Sequence, residues 1–175
     1  MDVVVAHRTP SPLILGALRE QVERAEHLMG LIPPGKLDWR PEAAGDTFSV
    51  RELLGHLIES LAGFCAALYT LHPERLAHFE ELRQRPPAAT LEIVEARRGV
   101  REYLARIEEG FALVTDDDLV RSIPTVFVPS GEPALTILLG NLEHLVNHKH
   151  QLFFYLKLLG VTVSTVDLYH LRGRV

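Results

Sequence analysis

The sequence predicts an all-α protein, a four-helix bundle, and three observations carry that reading. Four long segments repeat their apolar residues at helical spacing, and proline and glycine interrupt the chain between them. The one stretch rich in β-branched residues, Leu119 to Val128, is cut by Pro124 and followed by Pro129-Ser-Gly131, so it reads as a long extended crossover and not as a sheet.

The elements follow in order. From Ser11 to Ile32, Ile14, Leu15, Leu18, Val22, Ala25, Leu28 and Met29 form one stripe, which Pro33-Pro34-Gly35 stops. A loop through Trp39, Pro41 and Gly45 leads to Ser49-Val-Arg-Glu52, a capping-box pattern in which serine and glutamate satisfy free N–H groups at a helix start. The second helix runs to about Thr70 on the stripe Leu53, Leu54, Leu57, Ile58, Leu61, Phe64, Cys65 and Leu68. A short helical piece spans Pro73 to Gln84 and ends at Pro86-Pro87. Thr90 then offers an N-cap for a third long helix reaching Leu113, closed by the turn Thr115-Asp-Asp-Asp118. The last helix runs from Leu135 to Leu159, with Gly160 at the position of a C-terminal glycine cap and a stripe of Leu135, Leu138, Leu142, Leu145, Val146, Phe153 and Leu156. Residues 161–175 form a tail without a readable pattern.

Composition bounds the function. A chain of 175 residues, 47% hydrophobic and 23% charged, suits a single domain spanning 1–175 with one core. The formal charge of −5 and the scatter of Lys and Arg among acids give no cationic footprint, so no nucleic-acid partner is expected. The single cysteine, Cys65, lies among Phe64, Ala66, Ala67 and Leu68 and reads as a small core residue in a cytoplasmic protein. Neither a basic, apolar leader nor a run of about 20 apolar residues is visible, so no membrane association is expected. Phosphate loops, nucleophile elbows and cysteine pairs are also missing from the sequence.

The histidines are the informative residues. His144 and His148 stand four apart on a helix, one turn apart on one face, a spacing that can chelate one metal ion. Gln151 and Tyr155 share their arc, opposite the stripe centred on Leu142, so the four define a polar face. On the second helix His56 points about 130° away from its stripe, at ~100° per residue, and shares a polar flank with Glu52, Glu59 and Gly63. Two facing helices would then supply three imidazoles and leave positions open, which is how catalytic metal sites are built. Gln151, Glu59 or Glu52 could hydrogen-bond the non-ligating ring nitrogens. His150 points roughly 160° from His148 and cannot join them. His7, His27, His72, His78 and His170 read as solvated, Trp39 with Pro41 and Phe48 as an anchor of the first loop, and Asp116-Asp117-Asp118 as a solvated turn.

These residues also resemble a known family. Leu37-Asp-Trp-Arg-Pro41, Phe48-Ser-Val-Arg-Glu-Leu-Leu-Gly-His56, His144-Leu-Val-Asn-His-Lys-His-Gln-Leu152 and Tyr155-Leu-Lys-Leu-Leu-Gly160 are similar to the loop, second helix and terminal motif of the DinB/YfiT-like superfamily of metal-dependent enzymes. The resemblance spans helix one to Gly160 and implies an up-down-down-up bundle with a metal triad of His56, His144 and His148 holding Zn or Ni. It departs at Asn147, Lys149 and His150, where the family motif has histidine, arginine and glycine. Some relatives use a low-molecular-weight thiol such as bacillithiol or mycothiol.

The expected function is therefore a cytoplasmic metal-dependent enzyme acting on a small molecule. Its metal would activate a thiol for S-transfer, or water for hydrolysis, with Glu59 or Glu52 as proton acceptor. A non-catalytic metal-binding or dimerising bundle is the alternative, and a homodimer fits either.

Overall fold

A computed structural model of the protein describes residues 10–42, 47–84, 91–125 and 128–169. Helix α1 spans Pro10–Met29, opening on a proline whose fixed φ suits a first helical turn. It ends before the expected Ile32; Leu31 and Ile32 follow in tight turns bonded to Leu28 and Met29 carbonyls. Helix α2 spans Val50–Leu71 and starts on the capping box: the Glu52 N–H donates to Ser49 Oγ at 3.2 Å, and the Ser49 N–H to Glu52 Oε2 at 2.6 Å.

A 3₁₀ helix, Ala77–Gln84, leads toward α3, Ile93–Phe111. Glu92 and Glu95 form the capping pair that starts α3. Thr90, the expected cap, lies outside the described residues. The acidic run expected as a solvated turn is instead α4, Asp116–Val120, capped by Thr115, with Asp118 buried. The expected sheetless crossover likewise holds a two-residue antiparallel ladder, β1 Ser122–Ile123 against β2 Glu132–Pro133. Pro124 limits it to two rungs, because β1 cannot continue with a residue that lacks an N–H.

Helix α5 spans Ala134–Leu158 and ends in a Schellman turn. The Gly160 N–H donates to Lys157 O at 3.0 Å and the Val161 N–H to Leu156 O at 2.9 Å, with Gly160 at φ 79°. Helix α6, Thr165–Leu168, gives the expected tail a short capped element, and Leu168 is buried.

Contacts fix the helix directions. Arg19 pairs with Glu108 and Glu26 with Arg97 and Arg101, so α1 and α3 are antiparallel. Gly99 meets Ile58 and Gly110 meets Leu68, which makes α2 and α3 parallel. Gly63 meets Asn141 while the His56 ring lies against that of His148, which makes α2 and α5 antiparallel. The result is an all-α up-down-down-up bundle. Its core includes Leu18, Val22, Leu53, Leu57, Leu61, Phe64, Ile107, Leu145 and Leu152. Truncating any of the fully buried leucines to alanine should cost about 2–5 kcal/mol.

Three expectations change here. Helix α2 meets the length and apolarity of a membrane span after all, yet 56% of that stretch is buried against the other elements, as in a core helix. The buried line of α5 runs through Leu138, Leu145, Lys149, Leu152 and Leu156, leaving Leu142 and Val146 half-buried. Helix α5 packs against both α1 and α2, so two of its faces are covered and its pattern is less one-sided than a surface helix. Finally, His72 is not solvated: its side chain is 19% exposed, with Nε2 3.2 Å from Asp118 Oδ2.

Candidate metal centre

The antiparallel register of α2 and α5 brings His56 opposite His144 and His148. One ring nitrogen of each lies within 4.8 Å of the others. The His56 and His148 rings stack with centroids 5.3 Å apart, and those of His144 and His148 are 4.5 Å apart. Three imidazoles on two rigid helices suit a divalent transition-metal ion. Nitrogens sharing one tetrahedral zinc at about 2.1 Å are about 3.4 Å apart, so the residues fit such an ion after small side-chain rotations.

Neighbouring groups settle which nitrogens are free. His56 Nδ1 lies 2.9 Å from Glu59 Oε2, leaving Nε2 for an ion. His148 Nδ1 lies 3.1 Å from Gln151 Oε1; the Gln151 amide donates to the Tyr155 hydroxyl at 3.1 Å, and that hydroxyl donates to Phe48 O at 2.9 Å. Tyr155, expected on the polar face, is 5% exposed, so only its hydroxyl belongs to the site. Burial pushes the His148 imidazole below its ordinary range; the Gln151 hydrogen bond opposes this and the neighbouring His144 and His56 reinforce it. A neutral imidazole is the form that binds metal.

Glu52 occupies a different role from the proton acceptor expected of it. Its carboxylate completes the α2 cap and pairs with Arg40 at 3.3 Å, and the Ser49 N–H holds it below the usual carboxylate range. Glu59 is the acid that touches the triad. His150 turns away, as its Nδ1 bonds the Val146 carbonyl at 2.8 Å.

Phe48 is a wall of the site that sequence reasoning missed. Its ring lies 4.2 Å from that of His56 and 5.9 Å from that of His148. No periodicity marks a loop residue; from the sequence Phe48 reads as a loop anchor at the head of the motif ending in His56, and nothing local shows that its ring reaches the histidines. Trp39 packs edge-on against Tyr155 at 5.5 Å, anchoring the same loop. A cleft of about 340 Å³ opens beside the histidines, lined by Gly140, Glu143, His144, Asn147 and His148.

Known structures share this architecture. A DinB-like protein, YjoA, from Bacillus subtilis superposes with a TM-score of 0.66 at 19% identity, covering 86% of this chain and 94% of that one. The mycothiol-dependent maleylpyruvate isomerase superposes with a TM-score of 0.62 at 16% identity, covering 91% of this chain but 64% of the isomerase. A variant of that isomerase in which a histidine is replaced by alanine gives 0.62 at 15% identity, covering 91% of this chain and 64% of that one. No curated protein matches in sequence. The sequence model of the DinB superfamily matches residues 17–152, from within α1 to the Leu152 that follows the histidine pair, and the chain belongs to that superfamily.

Proposed function

We propose that the protein is a metal-dependent enzyme in which His56, His144 and His148 hold Zn or Ni and a low-molecular-weight thiol is transferred to a small electrophile. The observation that carries this reading is the convergence of three imidazoles, two of them with their second nitrogen already engaged, beside an open cleft. A bound divalent ion at such a site lowers the pKa of a coordinated thiol or water.

The chain's own residues supply the rest. Glu59 orients His56, Gln151 orients His148, and the Phe48 ring shields one side of the centre from solvent. Glu59, in contact with His56, is also a base that can take the thiol proton on its way to water. The thiol reading over the hydrolytic one is supported by the mycothiol dependence named for the isomerase of similar fold; this chain spans less than two-thirds of that protein, so its reaction is not carried over.

Elemental analysis of the purified protein beside His56→Ala and His148→Ala tests the centre. One Zn or Ni per chain, lost in both variants, is the expected result; wild-type metal content in His148→Ala overturns the assignment. The reaction is then assayed with bacillithiol, mycothiol and cysteine against 1-chloro-2,4-dinitrobenzene. A C–S bond forms, chloride leaves and the thiol proton passes to solvent. Metal-dependent turnover supports S-transfer, whereas turnover of activated esters without any thiol would assign hydrolysis instead.

A further inference from the structure

We propose that an apolar cavity beside α2 receives the apolar end of the small molecule whose reacting group sits at the three-histidine centre. This rests on the metal-dependent reading above and names the class of ligand: an elongated molecule with an aromatic or short aliphatic end and a neutral polar group between that end and the reacting atom.

The cavity, about 280 Å³, lies between α2 and the 3₁₀ helix, walled by Ala62, Gly63, Ala66, Tyr69, Phe79 and Leu82. An apolar cavity of about 150 Å³ already accommodates benzene, so this one has room for a phenyl ring with attached methylenes. Its acid, Glu80, accepts the Tyr69 hydroxyl at 2.8 Å, so that pair's polar atoms are engaged with each other. The rest of the lining, which includes Cys65, is mainly apolar.

Helix geometry joins the cavity to the centre. Glu59 touches His56, and Ala62 and Gly63 stand one turn farther along α2 on the adjoining face. Ala66 lies ten residues beyond His56, roughly 15 Å along the axis, and Ala62 six residues, roughly 9 Å. Gly63 borders the cavity and also touches α5, where Asn141 stands one turn before His144. A Cβ at Gly63 would lie 2.6 Å from Asn141 Oδ1, so the glycine is what lets that carboxamide lie across the seam. Among the described residues the Asn141 amide has no hydrogen-bond partner. It offers one acceptor and two donors between metal centre and cavity, suited to a neutral polar group. Glu59, Glu80 and Glu143 around this path disfavour a second anionic group on the ligand.

Thiols bound to the cobalt(II)-loaded protein test this, read from the thiolate-to-cobalt charge-transfer band. The probes are ethanethiol and phenylalkanethiols with one to four methylenes. Each added methylene should tighten binding about fourfold until the ring is seated. Ala66→Trp, at an exposed position where the bundle tolerates bulk, fills the cavity and should abolish that gain while leaving ethanethiol unchanged. Ala62→Leu should reduce it, which guards against a misfolded first variant. A band with equal affinity for every thiol, or a gain that survives both variants, overturns the proposal alone. Absence of a band with every thiol while cobalt stays bound overturns thiol binding at the centre, and this proposal with it; failure of the protein to hold cobalt overturns the metal-centre reading itself.

Discussion

The Tyr155 hydroxyl donates to the Phe48 carbonyl oxygen across 2.9 Å, joining residues 107 positions apart. A carbonyl can only accept, so the tyrosine proton is committed and its oxygen must accept from the Gln151 amide nitrogen. That turns Gln151 Oε1 toward His148, whose Nδ1 must then carry the proton. The polarity of the chain is thus fixed at a backbone atom beside the α2 cap, and it leaves His148 Nε2 with a free lone pair.

Breaking this relay should weaken metal binding without removing a ligand. Gln151→Leu takes away the acceptor that fixes the His148 tautomer and should lower metal affinity 10- to 100-fold. Tyr155→Phe removes the link one step farther out and should cost about 1 kcal/mol of stability, with a smaller loss of affinity. Competition with a chromophoric chelator measures both; affinity unchanged in Gln151→Leu would show that the relay does not control the ligand.

Removing metal should leave the bundle folded. The triad sits at the rim of α2 and α5, with His144 exposed and His56 and His148 half-buried, while the core beneath it is continuous without them. Chelation should therefore preserve helical circular dichroism, and reloading at 100 times Kd should add about 2.7 kcal/mol to unfolding. Unfolding on chelation would instead make the ion structural.

The α2 cap, the stripes of α1 and α2 and the histidine faces were legible because each is written in local spacing. Ser49 and Glu52 stand three apart, as a capping box requires, and His144 and His148 four apart. What sequence could not give is which polar residues the tertiary contacts enclose. Tyr155 fell on the polar arc, yet loop residues Trp39 and Phe48 fold over it. Lys149 stands where the family motif has arginine, and nothing in the sequence marks it as enclosed, yet α6 covers it and its ammonium donates to Gln21 and to the Leu168 carbonyl. His72 and Asp118 are 46 positions apart, and no periodicity links them. Helix α4 escaped because five residues are too few to show a period.

Acid should expose the role of Asp118. Burial alone would raise its carboxyl pKa, but hydrogen bonds from the Thr115 N–H and hydroxyl and from Arg121, with His72 nearby, hold it to about 2. A carboxyl with a folded pKa below its unfolded one stabilises the fold above the unfolded value, and that contribution fades as pH falls from about 4 toward about 2. Asp118→Asn should thus be less stable than wild type by about 2 kcal/mol at pH 7, with the gap shrinking below pH 4. Urea titrations of both proteins between pH 7 and pH 3 measure this; a gap independent of pH would assign the effect to packing.

Lys149 should act on the C-terminal segment more than on global stability. Its side chain is fully buried, and its ammonium donates to Gln21 Oε1 at 2.6 Å and to Leu168 O at 3.1 Å. Burial pulls its pKa below the ordinary lysine range, with Glu20 opposing the shift and Arg24 adding to it. Lys149→Met relieves that desolvation but strands the Leu168 carbonyl, two effects of opposite sign and each of order 1–3 kcal/mol. Global stability should therefore change by about 1 kcal/mol or less. Helix α6 loses that hydrogen-bonded tie to α5 and keeps the burial of Leu168 and the partly exposed His27 to Asp167 contact at 2.9 Å. Amide hydrogen exchange should accordingly accelerate at Asp167 and Tyr169, whose N–H groups close that short helix, while α2 and α3 stay protected. Uniform acceleration across all helices would instead make Lys149 part of the global fold.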